Sequence, residues 1–211
     1  ELYEDNMTKL TTSSDTMHLY KQTVKRYFTL LFPTLKIEID DFIRNSYRGG
    51  VVLVRKKYQE REINRPVYVY DENSMYPDKM INNTLPYGIP VYTKGECIPT
   101  TDYPLYIQRI LVDLELKPKH MPTILQSNAM YSKLNYLDDT DGVMVELTLT
   151  NVDIELMRKH YIIHDIEYID GYLFMGSDNL FKKYMLPVYD EKCNSERGGK
   201  RERAKLKLNG L

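Results

Sequence analysis

Alternating side chains predict several strands along this chain. Residues 67–70 read Val-Tyr-Val-Tyr, a period of two that gives one apolar face and one aromatic face. Further candidate strands lie at residues 51–54, 111–116, 143–149 and 166–174, the last of them interrupted by Gly171. These short runs, separated by polar segments, are typical of sheet strands joined by loops.

Apolar residues at helical spacing predict helices between these strands. The predicted helices are the tail of a helix over residues 1–11, a helix from about Thr16 to Phe32, a short one over 78–82, one from Asn151 to about His160, and one from Lys200 onward. Pro33 ends the second helix, and Thr150 to Asp153 caps the fourth. Residues 55–65 predict a charged loop, and residues 85–90, with two prolines and a glycine, predict a rigid turn.

The stretch over residues 67–77 carries the strongest chemical signal. Its predicted strand ends on Asp71, and a polar segment then leads to Tyr76-Pro77. A carboxylate at a strand end is held firmly, and hard divalent cations take oxygen ligands from carboxylates, carbonyls and phosphates. An ordinary buried strand followed by a turn is the alternative interpretation of the same residues.

Asp71-x-x-Ser74-Met75-Tyr76-Pro77 resembles motif A of family B DNA polymerases, D-x-x-S-L-Y-P, with Met75 in place of Leu. The continuations at residues 85–88 and 102–105 resemble the protein-primed branch, found in small phages and linear plasmids. The resemblance covers nearly the whole chain but only the middle of such a polymerase.

This resemblance implies two-metal nucleotidyl transfer with Mg²⁺. Asp71 would be the catalytic residue and would bind both metal ions, and the carbonyl of Glu72 would bind one of them. Ser74 and Met75 would contact the triphosphate through their backbone, and Tyr76 would lie under the deoxyribose. The implied partners are template-primer DNA, deoxynucleoside triphosphates and a terminal protein that serves as primer.

Tyr47-Arg48-Gly49-Gly50 resembles the Y-x-G-G motif of these polymerases, which contacts template DNA. Paired glycines also let another chain approach closely. The resemblance therefore makes Tyr47, Arg48, Gly49 and Gly50 candidates for DNA binding through phosphates. A plain turn into the strand at residues 51–54 is the other interpretation.

Positive charge gathers near the end of the chain. Residues 192–207 hold seven Lys or Arg against two Glu. Lys205-Leu206-x-Leu208-Asn209 resembles the start of motif B, K-L-x-L-N-S, with Gly210 where Ser is usual. The resemblance implies that Lys205, assisted by Lys192, neutralises triphosphate charge and that Asn209 lines the nucleotide. A basic, solvated helix is the more general interpretation of such a charge run.

Residues 136–141 end in Asp-Thr-Asp and look like motif C, the source of the second catalytic carboxylate. Motif C follows motif B in the family, whereas this stretch precedes it. Asp141-Gly142 between two predicted strands is a hairpin signal. We therefore expect a turn here, and the true motif C beyond Leu211.

These elements predict an α+β fold, and the resemblance implies a polymerase palm portion with an antiparallel sheet and a separate α+β insertion subdomain. The expected divisions are the end of an exonuclease region at 1–11, the palm portion at 12–82, an insertion that contacts the terminal protein at 83–180, and the start of the fingers at 181–211. Since the sequence begins at Glu1 and ends within a helical pattern, we expect a piece of a longer protein.

Composition excludes some classes of protein but does not by itself indicate a function. The formal net charge is −1, so only the local charge distribution indicates nucleic acid. Cys97 and Cys193 form neither a metal-ligand spacing nor a disulfide framework, which favours a reducing interior. No apolar run is long enough to span a bilayer, so no membrane partner is expected. The resemblance places the protein in the host cytoplasm.

Two functional hypotheses follow. The first is a part of a protein-primed DNA polymerase, inactive in isolation because it holds one catalytic carboxylate and lacks the exonuclease motifs. The second is a stand-alone, non-catalytic module that binds DNA or protein.

Overall fold

A computed structural model describes residues 9–50, 52–125 and 136–211 of the chain. Its helices are α1 Thr12–Val24, α2 Phe28–Leu31, α3 Ile37–Asn45, α4 Met75–Asn82, α5 Asn151–His160, α6 Lys182–Asn194 and α7 Gly199–Asn209. Its strands are β1 Leu85–Lys94, β2 Leu105–Leu116, β3 Val145–Thr150 and β4 Tyr161–Ser177. Short 3₁₀ helices lie at Lys25–Tyr27 and Lys56–Tyr58.

The four strands form one sheet in the order β1-β4-β2-β3. The central strand β2 pairs antiparallel with β3 on one side and with β4 on the other, with Val112 opposite both Val145 and Ile166. The predicted α+β class with an antiparallel sheet is confirmed. Within the described ranges, no helix is long and apolar enough to cross a membrane.

The chain divides into two compact units. The first, called here the helical unit, comprises residues 1–34, 71–88 and 175–211. Its core is formed by Tyr20, Ile81, Tyr184, Met185 and Leu208, contributed by α1, α4, α6 and α7. Aromatic rings extend this core, since Tyr20 makes edge-on contacts with Phe28, Phe32 and Tyr184.

The second, called here the sheet unit, comprises residues 35–70 and 89–174. Its core joins β2 and β3 to α5 through ten buried residues: Ile110, Val112, Leu114, Ile124, Leu137, Leu147, Leu149, Ile154, Met157 and Tyr161. The predicted boundaries between residues 82 and 83 and between 180 and 181 separate regions by function. The two compact units are separated by their contacts, so the functional boundaries stay predictions.

Several predicted elements are confirmed. Strands β2, β3 and β4 include most of the residues predicted for them, and α5 begins at the expected Thr150 cap. That cap is a full capping box, in which Thr150 and Asp153 each bond the other's backbone amide. Local hydrogen bonds of this kind are readable from sequence because their partners lie three residues apart.

Other predicted elements are wrong. Residues 85–90 belong to strand β1 instead of a rigid turn, and proline is tolerated there because β1 lies at the edge of the sheet. Residues 52–54 and 67–70 are not strands. The helix expected from Thr16 to Phe32 begins at Thr12 and is broken at Lys25, whose φ is 51°. The helix predicted over residues 1–11 lies largely outside the described residues.

Candidate active site

The segment before Asp71, residues 67–70, is exposed and has no regular secondary structure. Val67, Tyr68, Val69 and Tyr70 are 68, 77, 89 and 90% exposed. No described strand pairs with them, so the predicted strand ending on Asp71 is wrong in this structure. An extended segment becomes a sheet strand only where neighbouring backbone satisfies its hydrogen bonds, and alternation alone supplies none.

Asp71 and Glu72 are exposed, and the chain then turns sharply at Ser74. Ser74 has left-handed backbone angles, φ 56° and ψ 39°, which are uncommon for a residue with a side chain. Helix α4 starts directly after it, and the Asp78 amide donates to the Ser74 carbonyl at 2.9 Å. Ser74 therefore forms a tight corner between the exposed carboxylates and the first turn of α4.

Helix α6 brings Lys192 to this corner. The Lys192 ammonium group donates a hydrogen bond to the Ser74 hydroxyl, across 118 residues of sequence. The same ammonium group lies 5.9 Å from the centre of the Tyr189 ring. Packing of α4 against α6 in the helical unit holds the two together. Two residues predicted to bind nucleotide are thus adjacent.

The remaining candidates of the helical unit lie on exposed surfaces. Tyr76 is in the first turn of α4 and is 73% exposed, next to the buried Pro77. On α7, Ala204 and Leu208 are buried whereas Lys205 and Asn209 are exposed. Residues four apart share one side of a helix, so Lys205 and Asn209 form a polar side next to a buried one.

The Tyr47–Gly50 segment belongs to the sheet unit. Tyr47 is exposed, and Gly49 has a φ of 70°, which explains a glycine at that position. Arg48 was expected to contact DNA phosphate. In the structure its guanidinium donates to the carbonyls of Asn45 at 2.9 Å and Thr148 at 2.6 Å. Burial lowers its pKa, and the charge of Asp153 opposes this effect. The phosphate contact stays a prediction.

A partly buried ion pair that no sequence pattern reveals supports the helix before this segment. Arg109 of β2 donates to both carboxylate oxygens of Asp170 of β4, at 2.8 and 2.6 Å. Hydrogen bonding to Asp170 raises the pKa of Arg109, and its guanidinium lies 5.7 Å from the centre of the Phe42 ring on α3. The one sequence feature that could have indicated this ion pair is a charged residue, Asp170, inside the predicted strand at 166–174.

The Asp-Thr-Asp stretch forms a turn, as predicted. Asp141 and Gly142 both have positive φ, 53° and 75°, as a tight hairpin requires. The Asp139 carboxylate accepts from the Asp141 amide at 2.8 Å, which stabilises the turn. Among the residues that the structure describes, no three His, Cys, Asp or Glu side chains are grouped closely enough to hold a metal ion.

Known proteins resemble the whole chain. A profile described as DNA polymerase type B, organellar and viral, matches residues 1–211. The DNA polymerase of Bacillus phage Nf is 38% identical over 211 residues, which is 99% of this chain and 36% of that protein. The DNA polymerase of Streptococcus phage Cp-1 is 33% identical over 218 residues, or 99% of this chain and 38% of that protein.

A solved structure agrees with these sequence relatives. It is titled Phi29 DNA polymerase complexed with primer-template DNA and incoming nucleotide substrates, and it matches with a TM-score of 0.90 and 36% identity. The match covers 100% of this chain and 37% of that one, so the chain spans little more than a third of its relatives' length. Since the family profile matches every residue, the chain belongs to the organellar and viral family of type B DNA polymerases.

Proposed function

We propose that this chain is the central part of a DNA-directed DNA polymerase that extends DNA by protein-primed, two-metal nucleotidyl transfer. The observation that carries the proposal is the corner at Ser74, two residues after Glu72, where the Lys192 ammonium group donates to the Ser74 hydroxyl. A carboxylate that can bind metal precedes the start of α4, and an ammonium group that can bind phosphate contacts the same corner. Together they suit a nucleoside triphosphate.

The start of α4 supplies the triphosphate site. The first amides of a helix have no intrahelical acceptor, so those of Met75 and Tyr76 are available to phosphate oxygens. Lys192 adds positive charge at the same point, and Lys205 adds it from α7. In this proposal Tyr76 lies under the deoxyribose and Asn209 helps to line the incoming nucleotide.

Mg²⁺ fits the donors at Asp71 and Glu72. A carboxylate and a backbone carbonyl are hard oxygen donors, and both residues are exposed. When bound, Mg²⁺ supplies charge stabilisation for phosphoryl transfer. In the polymerases that this chain resembles, the second catalytic carboxylate comes from motif C, which follows motif B and is expected beyond Leu211. For this reason we propose that residues 1–211 alone do not polymerise.

The DNA and protein partners are likewise proposals. The solved relative is titled as a complex with primer-template DNA and incoming nucleotides, which supports the same ligands here. Tyr47 and the two glycines after Arg48 would contact template phosphates, and residues 83–180 would contact the terminal protein. The enzyme would act in the cytoplasm of a cell that carries the phage or plasmid.

The test uses purified full-length polymerase with primer-template DNA, deoxynucleotides and Mg²⁺. We expect nucleotide incorporation by the full-length protein and none by residues 1–211. Addition of terminal protein and unprimed template should give a labelled nucleotide joined to that protein. Incorporation by the 211-residue chain would overturn the claim of inactivity, and DNA binding without incorporation by the full-length protein would favour the non-catalytic module.

A further inference from the structure

Gly210, just after α7, is in unusually close contact with α1. Its φ of −89° and ψ of −8° are open to any residue, so its backbone conformation does not require glycine. A Cβ atom there would lie 2.9 Å from the Thr16 hydroxyl oxygen, 3.1 Å from the Leu206 carbonyl oxygen and 3.3 Å from the Ser13 Cα. Space, and not torsion angle, therefore disfavours a side chain.

Thr16 cannot easily give way to such an atom. Thr16 lies on α1 and is 0% exposed, four residues before the buried Tyr20. A threonine in a helix is limited to about two χ1 rotamers, so the Thr16 hydroxyl has little freedom to move aside. Thr16 and Gly210 are therefore complementary in size: the Thr16 side chain fills the space that a side chain at position 210 would occupy.

This contact lies next to a residue of the proposed nucleotide site. Asn209 immediately precedes Gly210, and its side chain borders a cleft of about 770 Å³. Leu208, on the other side of Asn209, is buried in the core of the helical unit. Asn209 is thus held between two packed neighbours, and its position depends on how closely the end of α7 approaches α1.

We propose that Thr16 is a positioning residue for nucleotide binding, because its contact with Gly210 sets the place of Asn209. The inference rests on the proposed role of Asn209 and adds a residue that lies outside every motif named above. It also accounts for glycine at position 210, where the motif pattern usually has serine: Thr16 occupies the space that a serine side chain would need.

The experiment measures nucleotide incorporation by the full-length polymerase. Gly210→Ala adds only the Cβ atom whose neighbours are known. We expect it to raise the KM for deoxynucleotides about five- to tenfold with kcat changed less than about twofold, the signature of lost substrate binding. Gly199→Ala is the matched control, since a Cβ at the first residue of the same helix meets nothing within 4 Å.

A second substitution identifies the contact as the cause. Thr16→Ala removes the nearest colliding atom, so the pair Thr16→Ala with Gly210→Ala should recover a KM within about twofold of the parent. Thr16→Val keeps the same shape and should give no recovery. If Gly210→Ala alone does not fold, recovery of both folding and KM in the alanine pair, but not in the valine pair, supports the same conclusion.

The outcomes separate this inference from the function on which it rests. A parent polymerase that incorporates no nucleotide overturns the proposed function, and the role of Asn209 with it. An active parent in which Gly210→Ala leaves KM unchanged, or in which Thr16→Val restores KM as well as Thr16→Ala does, overturns the positioning role of Thr16 alone.

Discussion

Residues 67–70 and residues 111–116 both alternate side-chain types with period two, yet their surroundings differ completely. Val112 of β2 is 0% exposed and lies between β3 and β4, whereas Val69 is 89% exposed. The first segment leads into the candidate active site, and the second forms the centre of the sheet unit. The same local pattern thus forms a buried sheet strand at residues 111–116 and an exposed segment before the candidate active site at residues 67–70.

The difference shows what alternation can determine. It favours an extended backbone, but a sheet also requires a neighbouring strand that satisfies the amides and carbonyls. β2 has such neighbours on both sides, and burial of its apolar side chains stabilises the arrangement. For residues 67–70 the described part of the chain offers neither, so those residues add little to its stability.

The strongest test of this comparison concerns Asp71. Asp71→Ala should lower incorporation by the full-length polymerase at least about a thousandfold, since the proposed metal ligand is lost. The melting temperature of the 211-residue chain should not change, because Asp71 is exposed. Primer extension and thermal unfolding measure the two effects.

Asp139→Ala is the matched control for that experiment. Asp139 stabilises a turn by accepting from the Asp141 amide, so its loss should lower stability slightly and leave incorporation unchanged. Equal loss of incorporation in both variants would show that the Asp-Thr-Asp stretch takes part in catalysis.

The same substitution at the two valines tests the framework directly. Val112→Ala should lower the free energy of unfolding of the 211-residue chain by about 2 to 3 kcal/mol, from lost burial and the cavity left behind. Val69→Ala should change it by less than about 0.5 kcal/mol, as is usual at exposed positions. Urea denaturation compares them, and an equal cost at Val69 would mean that residues 67–70 are packed.

Sugar selection is the expected contribution of the exposed Tyr76. Removing the ring with Tyr76→Val should raise the relative kcat/KM for ribonucleotides about tenfold in the full-length polymerase, because a steric barrier against the extra hydroxyl is lost. Tyr76→Phe keeps the ring and should preserve discrimination. Unchanged discrimination in the valine variant would make Tyr76 a residue without a role in sugar selection.

The smallest expected effect is the pH dependence of stability that comes from a buried ring. Burial raises the pKa of Tyr20 to about 12, above the ordinary value of 10.0, and its hydroxyl donates to the Leu180 carbonyl at 2.9 Å. Below pH 10 the ring is neutral in folded and unfolded chains alike. Above it the unfolded chain loses a proton that the folded chain keeps, so stability falls as pH rises toward 12.

Tyr20→Phe supplies the control for this pH effect. The variant should be less stable at neutral pH, because the hydrogen bond is lost, but its stability should fall less steeply above pH 10. Parallel curves for the parent and the variant, measured by urea denaturation at several pH values, would contradict the assignment to Tyr20.

The sequence by itself determined those features whose partners are close along the chain. The Thr150–Asp153 capping box, the turn at Asp141-Gly142 and the alternation of β2 all depend on neighbours within a few residues. The seven-residue pattern from Asp71 to Pro77 also indicated the family, because motif order is a property of sequence alone.

Only the tertiary structure decided the features that need distant partners. The edge position of β1, which tolerates Pro86 and Pro90, depends on its pairing with β4, and no local pattern shows which strand is outermost. The Lys192–Ser74 and Thr16–Gly210 contacts join residues more than one hundred positions apart. Such contacts arise when helices pack against one another, and packing is set by the shapes of all the surfaces at once.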